Sequence, residues 1–218
     1  LDITKFDKFF IANWKLNGTL SFVKEYLSKI TSNYSKSKCV VICPPFVFIN
    51  QIKLKNLFIG AQNCSIYPEG PFTGEVSAKI LNNLGCMFCI IGHSERRKFF
   101  SEDNKTINEK ISQCLNENII PILCVGENLE QKNNNLTKEV LKEQLEISLP
   151  KEANYSNVII AYEPLWAIGS GVIPRFEDIS KIHVFIKNDI KRTKNFKILY
   201  GGSVNQSNCK DILKEKGV

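Results

Sequence analysis

Glu163 is the side chain of this sequence best placed to act as a base. It follows the apolar run 158–162 and precedes Pro164, a residue that favours an extended backbone at the position before it. A carboxylate among apolar neighbours holds its charge less readily than a solvated one, and this suits a general base. The alternative is a surface glutamate, which is the commoner place for this residue type.

His93 is one of two histidines, and it follows the apolar run 88–92. The polar residues 94–97 after it predict a helical turn, whose positive end disfavours an imidazolium. A neutral His93 can then donate a hydrogen bond to a polarised carbonyl, or it can simply bond to nearby backbone. The other histidine, His183, is predicted to lie inside a helix with a structural role. Glu95 is expected to form ion pairs with the two arginines that follow it.

An amide and an ammonium, Asn13 and Lys15, come at the end of the first apolar run. Residues two apart on a strand point to the same side, so the pair is expected to converge while Trp14 points away. Such a pair suits an anionic or carbonyl substrate. The alternative is a loop lysine that extends into solvent.

Two loop segments have compositions that suit ligand binding. Residues 164–174 carry several large apolar side chains between two prolines, as expected of a lid that closes over a ligand or of a loop packed permanently on the protein. Residues 200–203, Tyr-Gly-Gly-Ser, allow backbone amides to approach an anion, although ordinary tight turns also use this pattern.

The remaining pattern alternates short apolar runs with amphipathic ones. Strands are predicted over residues 9–13, 39–43, 57–61, 88–92, 119–125, 158–163 and 197–201, and their continuous apolar character indicates burial on both faces. Helices are predicted over residues 20–30, 76–84, 107–118, 136–149, 179–190 and 206–216. Seven β-α repeats without a linker predict a single α/β domain over 1–218. The candidate residues follow several different strands, and this favours a (β/α)8 barrel over an open doubly wound sheet.

Composition excludes several classes of protein. Apolar residues make up 43% and charged residues 23% of 218 residues, which is ordinary globular usage, and no apolar run is long enough to span a bilayer. The net charge of +7 includes a basic run at 181–197, which is more typical of a solvated helix face than of a nucleic-acid surface.

Eight cysteines are too few for a disulfide scaffold, and the zinc-like Cys86-x-x-Cys89 has no partner pair, so we expect it to pack in the core. We therefore expect a reducing, cytoplasmic setting, or an organelle if a leader has been removed.

Seven stretches together resemble the triosephosphate isomerase family. They cover nearly the whole chain in order, and they are Asn13-Trp-Lys15-Leu-Asn-Gly, Gly60-Ala-Gln-Asn63, Phe72-Thr-Gly-Glu75, Gly92-His93-Ser-Glu95-Arg-Arg97, Cys124-Val-Gly-Glu127, Ala161-Tyr-Glu163-Pro-Leu-Trp-Ala-Ile-Gly169 and Tyr200-Gly-Gly-Ser203. The resemblance implies a TIM barrel that interconverts dihydroxyacetone phosphate and glyceraldehyde 3-phosphate without a metal or cofactor, because the reaction only moves protons.

The resemblance also implies roles for individual residues. Glu163 takes the proton beside the substrate carbonyl, and neutral His93 polarises that carbonyl. Lys15 and Asn13 bind substrate and stabilise the enediolate. The remaining implied positions are Gly169 and Ser203 at the phosphate, Ser94 and Glu95 in support behind the catalytic residues, and Thr73 on a loop that reaches a partner subunit in a homodimer.

The C-terminus departs from the family pattern. The family continues with an eighth strand, which completes the phosphate site, and an eighth helix, whereas this sequence stops at Val218. The intact motifs favour an incomplete sequence over a truncated protein. A barrel homologue that lost catalysis with its eighth strand, and acts as a binding or structural module, is the alternative function. A weaker one is nucleic-acid binding through residues 181–197.

Overall fold

The computed structural model describes residues 1–30, 35–53, 55–168, 174–215 and 217–218, and the chain in it divides into two compact units. Unit 1 comprises residues 1–91 and 109–121, and unit 2 comprises residues 92–108 and 122–218. The expectation of one domain over 1–218 stays a prediction. Among the described residues, no helix combines the length and apolar character needed to cross a bilayer.

Unit 1 contains four parallel strands that pair in chain order. The strands are β1 (Lys8–Asn13), β2 (Lys38–Cys43), β3 (Phe58–Ala61) and β4 (Cys86–Ile91), and the helices between them are α1 (Leu20–Lys29) and α2 (Ala78–Asn83). Side-chain caps begin both helices: Thr19 Oγ1 accepts the Phe22 amide, and Ser77 Oγ accepts the Ile80 amide.

Unit 2 contains three strands that also pair in chain order and run parallel. Its elements are α3 (Ser94–Phe99), α4 (Asn104–Asn116, whose C-terminal part belongs to unit 1), β5 (Ile120–Val125), α5 (Leu129–Asn133), α6 (Thr137–Ser148), β6 (Ile159–Tyr162), α7 (Phe176–Asn188), β7 (Lys197–Tyr200) and α8 (Cys209–Ile212). A short 3-10 helix, Leu165–Ala167, follows β6.

All seven predicted strands are present, with ends within two residues of the predicted ones. Four helices differ from expectation. Helices α4 and α7 each begin three residues before the predicted start and end two residues before the predicted end. Helix α5 was not predicted, and its start is fixed by a capping box between Asn128 and Gln131. The last helix is shorter than 206–216; just before its start, the Asn205 side chain accepts the amides of Ser207 and Asn208 and so competes with helical hydrogen bonds. Residue 216 lies outside the described residues.

Burial of the strands is uneven. Every residue of β5 and β6 is buried, as predicted for strands covered on both faces. The prediction is wrong for β1, where all six residues are only half-buried. Within the described residues of unit 1, β1 pairs with β2 alone, so one of its edges lacks the cover that a second strand gives.

Candidate active site

His93 and Glu163 are neighbours in unit 2. Glu163 follows β6, and its amide donates to the Val125 carbonyl at 2.8 Å, which extends the β5–β6 pairing to this residue. Glu163 Oε1 lies 3.6 Å from His93 Nε2. Both residues are buried, with only 4% of Glu163 and 8% of His93 exposed. The sequence therefore predicted correctly that both strand ends carry polar groups, and the structure brings these two together.

Helix α3 fixes the His93 ring and its tautomer. His93 is the N-cap of α3, and its Nδ1 accepts the Glu95 amide at 3.3 Å. Because a backbone amide can only donate, Nδ1 carries no proton, and in the neutral ring the proton sits on Nε2, toward Glu163. The Glu95 Oε2 atom lies farther from Nδ1, at 3.5 Å.

Ser94 contacts Glu163 directly through its backbone. The Ser94 amide donates to Glu163 Oε2 at 3.1 Å, while the other carboxylate oxygen faces His93. One residue of α3 therefore orients the carboxylate, and the next orients the imidazole. Ser94 and Glu95 do this with main-chain groups, which sequence reasoning about side chains does not reveal.

Two glycines give the Glu163 segment its space. A Cβ on Gly201 would lie 2.7 Å from Glu163 Cγ, and a Cβ on Gly126 would lie 1.8 Å from the Glu163 carbonyl oxygen. Real Cβ atoms do not approach other atoms this closely, so both positions require glycine. The expectation that this turn exposes amides to an anion stays a prediction; the structure adds that the missing Cβ of Gly201 leaves room for the Glu163 side chain.

Ser203 contacts the segment after β6. Its hydroxyl donates to the Ala167 carbonyl at 3.2 Å, and the Asn208 side chain donates to the Ser203 carbonyl at 3.0 Å. The turn after β7 is thereby tied to the 3-10 helix Leu165–Ala167. Gly169, the other residue expected at the phosphate, lies outside the described residues, as does 169–173 of the expected lid.

Arg97 is a residue that sequence reasoning assigned only to ion pairing. Its guanidinium donates to the Gly92 carbonyl, to Asn104 Oδ1 and to the Cys124 carbonyl, at 3.0, 2.7 and 3.1 Å. Burial lowers the pKa of Arg97. These bonds fix the turn that precedes His93. Its neighbour Arg96 forms an ion pair with Glu102.

Glu127 is a second buried carboxylate of unit 2, at the residue two positions after β5. Tyr162 Oη lies 3.2 Å from both of its oxygens, and Trp166 Nε1 donates to Oε1 at 2.8 Å. Burial raises the pKa of Glu127, and the hydrogen bonds from Trp166 and Tyr162 oppose that rise. The sequence matched this residue to a family motif without giving it a role.

Asn13 and Lys15 lie in unit 1, at the end of β1. The expectation that they point to one side of a strand is wrong for Lys15, because β1 ends at Asn13 and Lys15 has a left-handed backbone with φ of 52°. Two side chains hold that conformation: Asn13 Oδ1 accepts the Lys15 amide at 3.0 Å, and Gln62 Nε2 donates to the Lys15 carbonyl at 2.9 Å. Trp14 between them is buried.

Thr73 lies in a long exposed stretch of unit 1, residues 67–75. Tyr67 and Phe72 stack within this stretch, with ring centroids 3.6 Å apart, although both remain more than a third exposed.

Comparisons with known proteins show the family to which the chain belongs. The family model described as triosephosphate isomerase matches residues 8–218. The triosephosphate isomerase of Francisella tularensis subsp. mediasiatica is 38% identical over 94% of this chain and 86% of its own length, and that of Aquifex aeolicus is 39% identical over 95% and 89%. The crystal structure of the Bartonella henselae enzyme gives a TM-score of 0.87 at 33% identity, over 96% of this chain and 89% of that one. The predicted TIM barrel fold class is thereby confirmed, and the chain belongs to the triosephosphate isomerase family.

Proposed function

We propose that this protein interconverts dihydroxyacetone phosphate and D-glyceraldehyde 3-phosphate, an isomerisation of glycolysis and gluconeogenesis. One observation carries the proposal: a buried carboxylate and a buried imidazole, Glu163 and His93, face each other across 3.6 Å. Named isomerases with 38% and 39% identity support it and do not favour the non-catalytic alternative.

Glu163 is the proposed base. Its carboxylate removes the proton from the carbon beside the substrate carbonyl, and the electron pair of that C–H bond forms the carbon–carbon double bond of an enediolate. The Ser94 amide on Oε2 holds the carboxylate, so that Oε1 is presented toward the side where His93 stands. With the help of His93, the proton of the neighbouring hydroxyl passes to the oxygen of the former carbonyl. Returning the carbon-bound proton to the neighbouring carbon then completes an internal oxidation and reduction that uses no external electron acceptor.

His93 is the proposed electrophile. With Nδ1 occupied by the Glu95 amide, Nε2 carries the proton and can donate it in a hydrogen bond to the carbonyl oxygen, where negative charge develops. A donor fixed before the reaction begins stabilises that charge without reorganisation. Ser94 and Glu95 therefore serve as positioning residues for the pair.

Lys15 and Asn13 are proposed to bind substrate and to stabilise the enediolate. The ammonium of Lys15 supplies the positive charge that an anionic intermediate and a phosphorylated substrate both need. The left-handed backbone of Lys15 is held by Asn13 and Gln62, and strain that surrounding groups maintain is typical of functional positions.

The phosphate is proposed to bind at Ser203 and Gly169. The Ser203 hydroxyl already contacts the 3-10 helix after β6 through Ala167, so a phosphate bound at Ser203 would lie against the same segment.

The exposed loop around Thr73, with its stacked Tyr67 and Phe72, is proposed to contact the second subunit of a homodimer.

Steady-state turnover of Glu163→Asp tests the proposed function. The shorter side chain withdraws the carboxylate by one methylene, and a misplacement of this size is expected to lower kcat by about 100-fold or more. Glu127→Asp is the matched control, since it shortens another buried carboxylate at a strand end of the same unit, and it is expected to cost less than about tenfold. A change below about twofold for Glu163→Asp would contradict the assignment.

A further inference from the structure

Three cysteine side chains of unit 1 meet at one point in its interior. Cys64 follows β3, Cys89 lies on β4 and Cys114 lies on α4. All three are fully buried, their sulfur atoms lie within 4.8 Å of one another, and the Cys64 and Cys114 sulfurs are 3.6 Å apart. Among the described residues, these three cysteines form the group of cysteine, histidine or acidic side chains whose ligand atoms lie close enough together to hold one metal ion.

The spacing of the sulfurs fits a metal ion at their centre. A metal–sulfur bond is about 2.3 Å long, and three sulfurs around a trigonal ion then lie about 4.0 Å from one another. The 3.6 Å between the Cys64 and Cys114 sulfurs lies just below that value, and the two other pairs lie no more than 4.8 Å apart.

The donor set selects the kind of ion. Three sulfurs without a carboxylate or an imidazole favour soft, thiophilic metals over Mg²⁺ or Ca²⁺. Structural zinc takes four ligands, whereas Cu(I) is stable with three thiolates. We propose that Cys64, Cys89 and Cys114 form a binding site for one Cu(I) ion, built independently of the isomerase residues.

A buried cation stands beside the proposed site. Lys110 is only 5% exposed, its ammonium donates to Asn63 Oδ1 at 2.8 Å, and its carbonyl lies 3.8 Å from the Cys64 sulfur. The hydrogen bond to the Cys64 thiol and burial raise the pKa of Cys114, and the positive charge of Lys110 opposes part of that rise. The charge of Lys110 would likewise offset part of the negative charge that metal binding creates.

The binding step is an exchange of protons for a metal. When Cu(I) binds, three S–H bonds break, three protons pass to solvent and three Cu–S bonds form. Copper stays in the +1 state, so no oxidant or reductant takes part. Because the sulfurs are shielded from solvent, entry requires a local opening of unit 1, and uptake is expected to be slow.

Competition for Cu(I) with a chromophoric chelator, under anaerobic conditions, tests the proposal on the full chain. The parent is expected to retain one Cu(I), and each of Cys64→Ala, Cys89→Ala and Cys114→Ala is expected to weaken retention by more than about tenfold. Cys39→Ala is the matched control, because Cys39 is fully buried in the same unit but outside the group, and it is expected to retain the ion.

Two further measurements keep the test decisive. Each protein is loaded both in the native state and by refolding with Cu(I), so that slow entry cannot hide the site; absence of retention in both loadings overturns the proposal. X-ray absorption of the loaded parent is expected to show three sulfur neighbours around copper, and a copper with two sulfurs or with nitrogen ligands overturns it as well. Far-ultraviolet circular dichroism identifies any variant that fails to fold, and in that case the absorption result on the parent decides.

Discussion

Two buried carboxylates of unit 2, Glu127 and Glu163, occupy similar positions after neighbouring strands and have different surroundings. Glu127 is 1% exposed and receives hydrogen bonds from Tyr162 and Trp166. Glu163 is 4% exposed, receives the Ser94 amide on one oxygen and presents the other to His93. Burial alone therefore does not distinguish the proposed base, Glu163, from Glu127; the groups that surround each carboxylate do.

The partners of Glu127 are stable donors. Burial raises the pKa of Tyr162, and the nearby charge of Glu127 raises it further, so the phenol keeps its proton and donates it to the carboxylate. The Trp166 indole can only donate. Glu127 therefore ties the 3-10 helix after β6 to the end of β5. Glu163 instead faces the His93 imidazole, which in the proposed reaction turns to the substrate carbonyl.

Removing the imidazole is the sharpest test of this difference. His93→Asn keeps an acceptor near the Glu95 amide, so α3 retains a cap, but it removes the Nε2–H group. We expect kcat to fall by roughly 100- to 1000-fold, the cost of losing one preorganised donor to a developing oxyanion. His183→Gln is the control on the other buried histidine, and its kcat is expected to stay near that of the parent. Comparable losses in the two variants would contradict the special position of His93.

Displacing the Glu163 carboxylate without changing its chemistry is the next test. In Gly201→Ala the new methyl group would lie 2.7 Å from Glu163 Cγ, so the side chain must move. We expect kcat to fall about 100-fold, as for other misplacements near 1 Å. Gly85→Ala is the control. A Cβ on Gly85 would have no atom within 4 Å, but the backbone there has a φ of 84°, so we expect this variant to lose about 1 kcal/mol of stability and little of its kcat. Equal activity in the two variants would contradict the role of Gly201.

The smallest effect is the pH dependence of stability at Glu127. Its folded-state pKa is raised above the unfolded value, so the native state binds the proton more tightly, and this contribution to stability is lost as the pH rises through the folded pKa. The stability of the parent relative to Glu127→Gln is therefore expected to fall between pH 4 and pH 7. Urea unfolding of both proteins at pH 4 and at pH 7 measures this difference in stability. If the relative stability of the parent rises with pH instead, the hydrogen bonds from Trp166 and Tyr162 outweigh the effect of burial on the pKa of Glu127.

The sequence predicted those features that depend on local patterns. Apolar runs located all seven strands, and the polar residues directly after two of these runs, Glu163 and His93, identified the candidate pair. The motif matches then gave the family and the fold class, because the matching residues occur in order over nearly the whole chain.

Features that arise from packing between distant segments were not predictable. The need for glycine at 201 depends on the passage of the Glu163 side chain, which is 38 residues away in sequence. The left-handed backbone of Lys15 depends on Gln62, and the enclosure of Glu127 depends on Tyr162 and Trp166. The three thiols of unit 1 lie 25 and 50 positions apart, so only the fold reveals that they meet.

The exchange of substrate hydrogen with solvent tests most directly whether Glu163 is the base. In D2O, the parent and Glu127→Gln are expected to incorporate deuterium at the carbon beside the carbonyl of dihydroxyacetone phosphate, as followed by proton NMR. Glu163→Gln, which keeps the size of the side chain but cannot accept the proton as a carboxylate does, is expected to slow this exchange by about 1000-fold or more. Exchange by Glu163→Gln at the rate of the parent would contradict the account.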